Sequence, residues 1–350
     1  MTGATCPGWG TLADSRSIAS VSAGPLLTHP SLAGDLDRVE EALRHAVRTD
    51  DPFLTEIASH LIVAGGKRVR PLFGVACSAV DQPRITPASD AAVHGGVSVE
   101  LVHLGSLYHD DVMDEAITRR GAESVNHRWG NLVAILAGDF LLAKASEIAA
   151  SLGTEVAGLL AATIGRLCEG QVLELQTIFD PTRTEERYLA SIGGKTASLF
   201  ASACRIGGIV GGLDRDAIDA VTAFGERYGM AFQIVDDVLD VVATDEQLGK
   251  PAGNDLVEGV YTLPVIRALA SPLGPELGEL LGRPLGADER DRARDLVRAN
   301  GSVDAALATA RGYVEGAREA ISPFGTEAST TLAAAADALL ASVEAIAAAH

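Results

Sequence analysis

Six aspartates form the most informative chemical pattern in this sequence, because the motif Asp-Asp-x-x-Asp occurs twice in distant parts of the chain. The six residues are Asp110, Asp111, Asp114, Asp236, Asp237 and Asp240. Each copy lies in apolar, helix-forming sequence, and on a helix the first and fifth residues of the motif share one face. Clustered carboxylates repel one another unless a cation binds between them, and Mg²⁺ takes one or two carboxylates while water and substrate phosphate complete its coordination. Two such helices facing each other would therefore bind a diphosphate through Mg²⁺.

Either motif alone could also be a solvated acidic patch, which is the commoner explanation of a charge cluster. The duplication favours a functional interpretation. Both copies follow apolar stretches, residues 97–108 and residues 230–235, where an exposed acidic face would be out of place. We therefore expect the two motifs to act together.

Basic residues near the first motif could bind further phosphate groups. Lys67 and Arg70 are three residues apart, hence on one helical face, and they follow a glycine pair at 65–66 that lets the backbone approach an anion. Arg119 and Arg120 follow the first aspartate motif, and arginine suits bidentate contact with phosphate. Each of these alone could equally be a solvated residue or stabilise a helix C-terminus. Together they fit a pair of anionic substrates.

A Gly-Gly-Lys-Thr run that contains Lys195 and Thr196 is similar to the end of a nucleotide-binding P-loop. The glycine that a P-loop requires five residues before the second glycine is replaced by Leu189, and no strand is predicted before it, so we reject the nucleotide interpretation. Lys195 and Thr196 are instead expected to project from a helix break toward a leaving group. Gln233 just before the second aspartate motif and Lys250 after it add a hydrogen-bond donor and a cation near the same site.

Composition and charge exclude several classes of protein. The chain has 350 residues, of which 47% are hydrophobic and only 4% aromatic, and this favours helices over a β-sandwich. Its formal net charge of −19 argues against nucleic-acid binding, since proteins that bind phosphate backbones carry an excess of lysine and arginine. Four widely spaced cysteines without a C-x-x-C pair are typical of a reduced, cytoplasmic protein.

Apolar residues recur at helical spacing from about Asp35 onward, with turn signals between the segments. This pattern predicts an all-α fold, a single large bundle of about ten to twelve helices over residues 35–350. Residues 1–34 contain many glycines and prolines and are predicted to be a disordered tail, not a signal peptide. The longest apolar stretches are too short to cross a bilayer and contain Asp139 and Arg166, so no stable membrane insertion is expected.

The ordered set of these motifs resembles the trans-isoprenyl diphosphate synthases, over roughly residue 35 to the C-terminus. The resemblance implies an all-α homodimer with a deep central cavity and with the aspartate motifs facing each other across its mouth. It also implies several Mg²⁺ ions, which Mn²⁺ could replace. The implied reaction joins isopentenyl diphosphate to an allylic diphosphate: the allylic diphosphate ionises, the isopentenyl double bond attacks the carbocation, and a proton is lost.

The resemblance further implies roles for individual residues. The catalytic set is Asp110, Asp111, Asp114, Lys195, Thr196, Gln233, Asp236 and Asp237, with Gln171 also near the cation. The metal ligands are Asp110, Asp114, Asp236 and Asp240. The allylic diphosphate is bound by Arg119, Lys195, Gln233 and Lys250. Isopentenyl diphosphate is bound by Lys67, Arg70, His103 and Arg120. Val260 departs from the family pattern, because many relatives have lysine there, and one phosphate contact is therefore expected to be absent.

The residues before the first motif bear on product length. In the family that the chain resembles, the growing tail descends along this helix, and bulky residues just before the motif stop growth. Helical turns back from Asp110 place Ser106 and Val102 on one stripe with Gly105 at its edge, and all three are small or slim. Residues 95–110 offer roughly 22 Å of wall at the α-helical rise. We therefore expect a product longer than geranylgeranyl diphosphate, although small residues also allow close helix packing.

Other activities stay open on the sequence alone. A geranylgeranyl diphosphate synthase would carry the same motifs with a shorter tunnel. A class I terpene cyclase normally has a second motif that mixes Asn or Asp, Ser or Thr, and Glu, whereas the second motif here is all aspartate. A non-catalytic subunit of a heteromeric synthase usually has degraded motifs, whereas both motifs here are intact.

Overall fold

The computed structural model describes residues 24–248 and 251–347, and the described chain is almost entirely α-helical. In chain order the helices are α1 (Pro30–Ala46), α2 (Pro52–Val63), α3 (Val69–Cys77), α4 (Asp90–Met113), α5 (Val125–Trp129), α6 (Asn131–Ser151), α7 (Thr154–Leu175), α8 (Glu185–Ile192), α9 (Ser198–Gly211), α10 (Arg215–Val242), α11 (Asp245–Leu248), α12 (Asn254–Glu258), α13 (Leu263–Leu269), α14 (Gly274–Leu280), α15 (Ala287–Arg298), α16 (Ser302–Ile321) and α17 (Glu327–Ala347). A π-helix, Gly193–Ala197, joins α8 to α9, and a 3₁₀ turn, Ser322–Phe324, joins α16 to α17. The predicted all-α fold is confirmed. Twelve of these helices have eight or more residues, and the others are short turns that an apolar period does not predict.

The two helices that carry the aspartate motifs have clear local start signals. The side chain of Ser89 accepts from the backbone N–H of Ala92 at the start of α4, and Asp214 accepts from that of Ala217 at the start of α10. Each motif lies at the C-terminal end of its helix. The helix dipole is negative at that end, so it adds to the carboxylate charge, and a cation bound at either end would be stabilising.

An aromatic cluster packs α3, α9 and α10 together. The ring of Tyr228 lies 4.4 Å from that of Phe73 and 5.2 Å from that of Phe200, measured between centroids. Glycines let the helix backbones touch here, since a Cβ atom on Gly207 would lie only 2.0 Å from the carbonyl oxygen of Gly74. This tight contact joins α3 to α9, and the ring of Tyr228 joins α10 to both, so the second motif is fixed relative to the segment that holds Lys67 and Arg70.

A two-stranded hairpin follows the first motif. Its strands are β1 (Thr118–Arg119) and β2 (Ala122–Glu123), paired antiparallel. The two turn residues, Arg120 and Gly121, have φ values of 55° and 75°, as a tight hairpin of this hand requires. The hairpin holds both arginines beside the motif. Two-residue strands are too short to show a period of two, so no pattern in the sequence predicts them.

The ends of the predicted domain need one correction. Leu26 and Leu32 are fully buried in the core, so the described fold begins before residue 35, inside the segment that was predicted to be a tail. Residues 1–23 lie outside the described residues. Among those described, one helix, α7, has the length and apolar content of a membrane-spanning segment, and only 28% of its apolar window is buried.

Candidate functional site

The two aspartate motifs reach the same cavity. This cavity has a volume of about 390 Å³ and is lined by residues from the C-terminal ends of α4, α7 and α10. Asp114 of the first motif and Asp237 of the second both line it, together with Lys195, Thr196 and Gln233. The tertiary structure therefore places the two motifs and the Lys-Thr pair around one space.

The first motif combines a buried and an exposed carboxylate. Asp111 is fully buried, and both Nε and Nη2 of Arg119 donate to its Oδ1 at 2.7 Å. Asp114 is exposed at the end of α4. Burial raises the pKa of Asp110 to about 6, because the nearby Lys195 only partly offsets the loss of water and Asp114 repels the charge further. Arg119 thus fixes Asp111, while Asp110 and Asp114 lie close enough to repel each other.

The second motif is divided in the same way. Asp236 is exposed, whereas Asp237 is buried and accepts hydrogen bonds from the hydroxyl of Tyr188 at 2.5 Å and from Nε2 of Gln233 at 2.8 Å. Burial raises the pKa of Asp237 to about 7, although both hydrogen bonds oppose this. Asp240 is also buried, and its Oδ2 accepts from the backbone N–H of Asp255 at 3.2 Å, so it anchors the start of α12.

A chain of contacts links the π-helical turn after α8 to the second motif. The hydroxyl of Thr196 donates to Oε1 of Gln233 at 2.8 Å, and Gln233 in turn donates to Asp237. Nζ of Lys195 lies 2.6 Å from Oε1 of Glu174 on α7. The sequence predicted a helix break at Lys195, whereas the structure has a π-helical turn that continues the helix from α8 into α9. α7 packs directly on this turn at Gly170, where a Cβ atom would lie 2.4 Å from the backbone nitrogen of Lys195.

The second basic group lies behind the first motif, around a buried ion-pair network. Arg68 is buried and donates to Glu40 at 2.6 Å and to Glu100 at 2.9 Å. The guanidinium of Arg70 lies 4.6 Å from the centre of the Phe200 ring. Burial lowers the pKa of Arg70 to about 10, and its Nε has no hydrogen-bond partner among the described residues. Arg68 therefore serves the structure, while Arg70 retains an unsatisfied donor.

The other predicted members of this group lie close by. Burial lowers the pKa of His103 well below its ordinary value, and the charges of Arg70 and Arg120 lower it further, so the ring is neutral at pH 7. Nη1 of Arg120 donates to the backbone carbonyl of Gly65, which brings the hairpin onto the glycine pair. Lys67 is half-buried in the same segment. The four residues come from three elements: the start of α3, helix α4 and the hairpin.

Two predicted site residues need separate comment. Lys250 lies outside the described residues. Gln171 lines the cavity, and its Oε1 is buried without a hydrogen-bond partner in the described part of the chain.

Glu100, Glu174 and Tyr188 are among the residues of the site that were not identified from the sequence. Glu100 carries a signal, because a carboxylate inside the apolar run of α4 has to find a buried partner. Glu174 and Tyr188 carry none. Tyr188 lies 49 positions from Asp237 in the chain, and only the packing of α8 on α10 brings its hydroxyl to that carboxylate.

The residues predicted to set product length have different surroundings. A Cβ atom on Gly105 would lie 3.0 Å from the carbonyl oxygen of Gly138, so this glycine allows close contact of α4 with α6. Val102 is fully buried. Ser106 is half-buried, and its hydroxyl donates to the carbonyl of His103 in its own helix. The absence of a side chain at Gly105 therefore serves helix packing.

The donor set fits a divalent metal ion. Within the described residues, no three His, Cys, Asp or Glu side chains form a ready-made metal cluster. Mg²⁺ does not need one, because it takes one or two carboxylates and draws its other ligands from water and substrate phosphate. Oδ2 of Asp111 and Oδ1 of Asp240 are buried without hydrogen-bond partners in the described chain, and Asp110 and Asp114 repel each other. A bound divalent cation would give these oxygens a partner and would reduce the repulsion between Asp110 and Asp114.

Comparison with known proteins identifies the family of this chain. The family described as polyprenyl synthetase matches residues 51–297. Nonaprenyl diphosphate synthase of Mycobacterium tuberculosis is 40% identical over 289 residues, which cover 81% of this chain and 84% of that protein. The chain belongs to the polyprenyl synthetase family, and it is an enzyme of the prenyltransferase class.

Solved structures give the same result for the fold. A polyprenyl synthase from Caulobacter crescentus, complexed with calcium and isoprenyl diphosphate, superposes with a TM-score of 0.84 at 32% identity, covering 93% of this chain and 98% of that one. A geranylgeranyl pyrophosphate synthase from Corynebacterium glutamicum, also complexed with calcium and isoprenyl diphosphate, has a TM-score of 0.77 at 37% identity, covering 90% and 96%. The predicted isoprenoid synthase type of fold is confirmed.

Proposed function

We propose that this enzyme condenses isopentenyl diphosphate with an allylic diphosphate and releases an all-trans polyprenyl diphosphate longer than geranylgeranyl diphosphate. One observation carries the proposal: Asp114 and Asp237, from two motifs far apart in the chain, line one cavity with Lys195, Thr196 and Gln233. Carboxylates and an amine around one cavity suit a substrate whose leaving group is a diphosphate. The name of the M. tuberculosis relative supports a long product.

The metal ligands that we propose are the first and last aspartates of each motif, which share one face of their helix. They are Asp110, Asp114, Asp236 and Asp240. Asp111 and Asp237 instead hold Arg119, Tyr188 and Gln233 in place. Bound Mg²⁺, or Mn²⁺ in its place, would neutralise the negative charge that develops on the departing diphosphate. Two related structures are complexed with calcium and isoprenyl diphosphate, which supports dependence on a divalent ion.

The cations of the site divide between two diphosphates. Lys195, Arg119 and Lys250 bind the allylic diphosphate, with Gln233 adding a hydrogen bond. Lys195 is half-buried and lies near Asp110 and Asp114, so its charge sits where the leaving group would meet the metal ligands. Burial strengthens its effect, because little water screens it.

Isopentenyl diphosphate would be bound by the basic group behind the first motif. Arg70 and Arg120 supply charge together with Lys67, and the free Nε of Arg70 is a donor that a phosphate oxygen can satisfy. His103 is neutral, so it contributes a hydrogen bond and no charge. This site needs no metal, because its donors are all nitrogen atoms.

The chain's own groups can assist each step of the reaction. Lys195 and Arg119 favour ionisation, because they stabilise the anion that leaves. The carbonyl oxygen of Gln171 and the Thr196–Gln233 pair present polar groups to the allylic cation. The cavity is enclosed by apolar residues such as Ile178 and Ile192, which limit attack by water on that cation. The released diphosphate is the nearest base for the proton that is lost.

The surface of α6 and α7 supports a homodimer. Leu132 and Leu136 of α6 are 79% and 66% exposed, and Val172 and Leu175 of α7 are also exposed. An apolar surface of this kind is typical of a permanent protein interface. We propose that a second copy of the chain covers this apolar surface. We also propose that the enzyme acts in the cytoplasm. The apolar character of α7 then reflects this interface.

A direct assay tests the proposed function. The purified chain is incubated with isopentenyl diphosphate, farnesyl diphosphate and Mg²⁺, and the products are sized by mass spectrometry. We expect all-trans products longer than twenty carbons. Products that stop at geranylgeranyl diphosphate would assign the shorter synthase, and cyclised hydrocarbon would assign a terpene cyclase. A folded chain without turnover would indicate a non-catalytic subunit. Asp110→Asn is the matched inactive control.

A further inference from the structure

Arg183 is a buried cation in the wall of the catalytic cavity that the motifs do not explain. It lies between α7 and α8, is only 4% exposed, and lines the same cavity as Asp237 and Lys195. Its Nη1 donates to the backbone carbonyl of Tyr261 at 3.1 Å. Its Nε and Nη2 are buried and have no hydrogen-bond partner among the described residues.

The charge of Arg183 is held in place but not neutralised. None of the ion pairs within the described chain includes Arg183, although the charges of Glu174 and Asp237 favour its protonated form. Burial nevertheless lowers its pKa. Arginine stays protonated at neutral pH even so, and leaving a charged donor unsatisfied inside a protein is unfavourable. Such an arrangement is expected where a ligand supplies the missing acceptor.

A purely structural role would leave these donors unexplained. The carbonyl of Tyr261 and the ring of Tyr188, whose centre lies 5.5 Å from the guanidinium, already fix the side chain. Neither contact uses Nε or Nη2. The two remaining donors form one edge of the planar guanidinium, and this edge matches the spacing of two oxygen atoms on a phosphate group.

Val260 provides the second observation. It is the residue next to Tyr261, it lines the same cavity as Arg183, and its side chain is aliphatic. The wall at position 260 therefore supplies no charge, while Arg183, bound to the adjacent carbonyl, places a cation beside it. The two positions lie 77 residues apart in sequence and meet only through the fold.

We propose that Arg183 is a diphosphate-binding residue of the catalytic cavity and that it supplies the positive charge that Val260 does not. The guanidinium donates from Nε and Nη2 to oxygens of the allylic diphosphate and stabilises the leaving group. This inference rests on the proposed function, since it assigns a ligand to the same cavity. It concerns a residue that none of the sequence motifs contains.

Four variants test the proposal by exchanging the position of the charge. They are Arg183→Met, Val260→Lys, the double variant, and Arg187→Met, which removes an exposed arginine of α8 as the matched control. We expect Arg183→Met to lower kcat/KM for the allylic diphosphate by about ten- to a hundredfold, the range for a hydrogen bond to a charged group. Val260→Lys in the Arg183→Met background should restore most of the lost kcat/KM, and Arg187→Met should leave kcat/KM unchanged.

A structural role predicts a different pattern. A lysine at position 260 cannot replace the contact of Arg183 with the carbonyl of Tyr261. If Arg183 had only a structural role, the thermal unfolding midpoint of Arg183→Met would therefore fall, and neither the midpoint nor the activity would recover in the double variant. Failure of Val260→Lys to restore activity overturns the proposal, as does an Arg183→Met enzyme with wild-type kinetics. If the wild-type chain has no turnover, the proposed function fails instead. Calorimetric titration with inorganic diphosphate and Mg²⁺ then tests Arg183 separately. Weaker binding to Arg183→Met than to the wild type supports its role in binding diphosphate, and equal affinity overturns it.

Discussion

The hydroxyl of Tyr188 donates to Oδ2 of Asp237 at 2.5 Å, and this contact joins α8, the helix before Lys195 and Thr196, to the second aspartate motif. Because Gln233 donates to the other oxygen of the same carboxylate, Asp237 is held by the protein on both sides. Asp236, one residue earlier, is exposed. The two adjacent aspartates thus have different surroundings: Asp237 is buried and held by two side chains, and Asp236 is exposed.

The first prediction concerns this contact and its pH dependence. Burial raises the pKa of Asp237 above its value in the unfolded chain, so the protonated form favours the fold and stability falls as the pH rises toward about 7. Tyr188→Phe removes a donor that stabilises the carboxylate, which raises this pKa further. We expect a loss of about 1.5–3 kcal/mol at pH 8 and a smaller loss at pH 5.

Urea unfolding in EDTA at the two pH values measures the effect. Tyr313→Phe, which removes a half-buried hydroxyl on α16, is the matched control. An equal loss at pH 5 and pH 8 would show that the hydroxyl does not act on a titrating carboxylate.

The second prediction concerns Lys195. Its amine lies 2.6 Å from Glu174 and near Asp110, so Lys195→Met removes charge at the point where the leaving group would bind. We expect kcat to fall about 10²- to 10³-fold, as for loss of one group that stabilises transition-state charge. Steady-state assays with both diphosphates measure this. Lys144→Met, which removes a lysine paired with Glu147 on the surface of α6, should retain wild-type rates.

The third prediction concerns metal removal. EDTA should abolish turnover, and Mg²⁺ should restore it, because Asp110 and Asp114 repel each other and the leaving group carries several charges. Mg²⁺ with inorganic diphosphate should also raise the thermal unfolding midpoint of the wild type, since a ligand that binds only the folded state stabilises it. Asp236→Asn should reduce this rise. Full activity in EDTA would contradict the proposed role of both motifs.

The fourth prediction concerns product length. Ser106 is half-buried on α4, one turn before Asp110, and Ser106→Phe should shift the products toward shorter chains. Mass spectrometry of the products measures the shift. Ser322→Phe is the control, because this exposed serine at the end of α16 also donates to the carbonyl three residues earlier, that of Glu319. An unchanged length distribution in Ser106→Phe would mean that the growing tail does not pass this residue.

Gly105→Ala separates packing from product length. Its new Cβ atom would press on the backbone of Gly138, so we expect lower stability and little change in chain length. Thermal unfolding and product analysis of the same sample distinguish the two effects.

The fifth prediction concerns the proposed dimer. Leu136→Lys places a charge on the exposed apolar surface of α6 and should convert the dimer to a monomer in light scattering after size exclusion. Val63→Lys changes a residue of α2 that is 74% exposed and should leave the oligomeric state unaltered. A dimer that persists in Leu136→Lys would place the interface elsewhere.

The sequence predicted the residue types of the site better than it predicted the contacts that hold them. Type and spacing predict the six aspartates, Lys195, Thr196 and Gln233 as site residues, because a helix fixes which neighbours share a face. Tyr188, Glu174 and Arg183 were missed, since each meets its partner through a contact between elements distant in the chain. Gly105 is predicted to line the tunnel, and the structure adds that its missing side chain allows contact with Gly138, a residue on another helix.

What the sequence determined by itself is local: helical periodicity, the starts of α4 and α10, and the placing of each carboxylate cluster at a helix end. These depend on backbone geometry and on residues a few positions apart. Only the tertiary structure decided which carboxylates stay available, because the burial of Asp111 and Asp237 and their pairing with Arg119 and Tyr188 arise when separate helices pack. Burial and charge pairing are properties of the whole fold, and they make one aspartate of an adjacent pair a support and the other a candidate ligand.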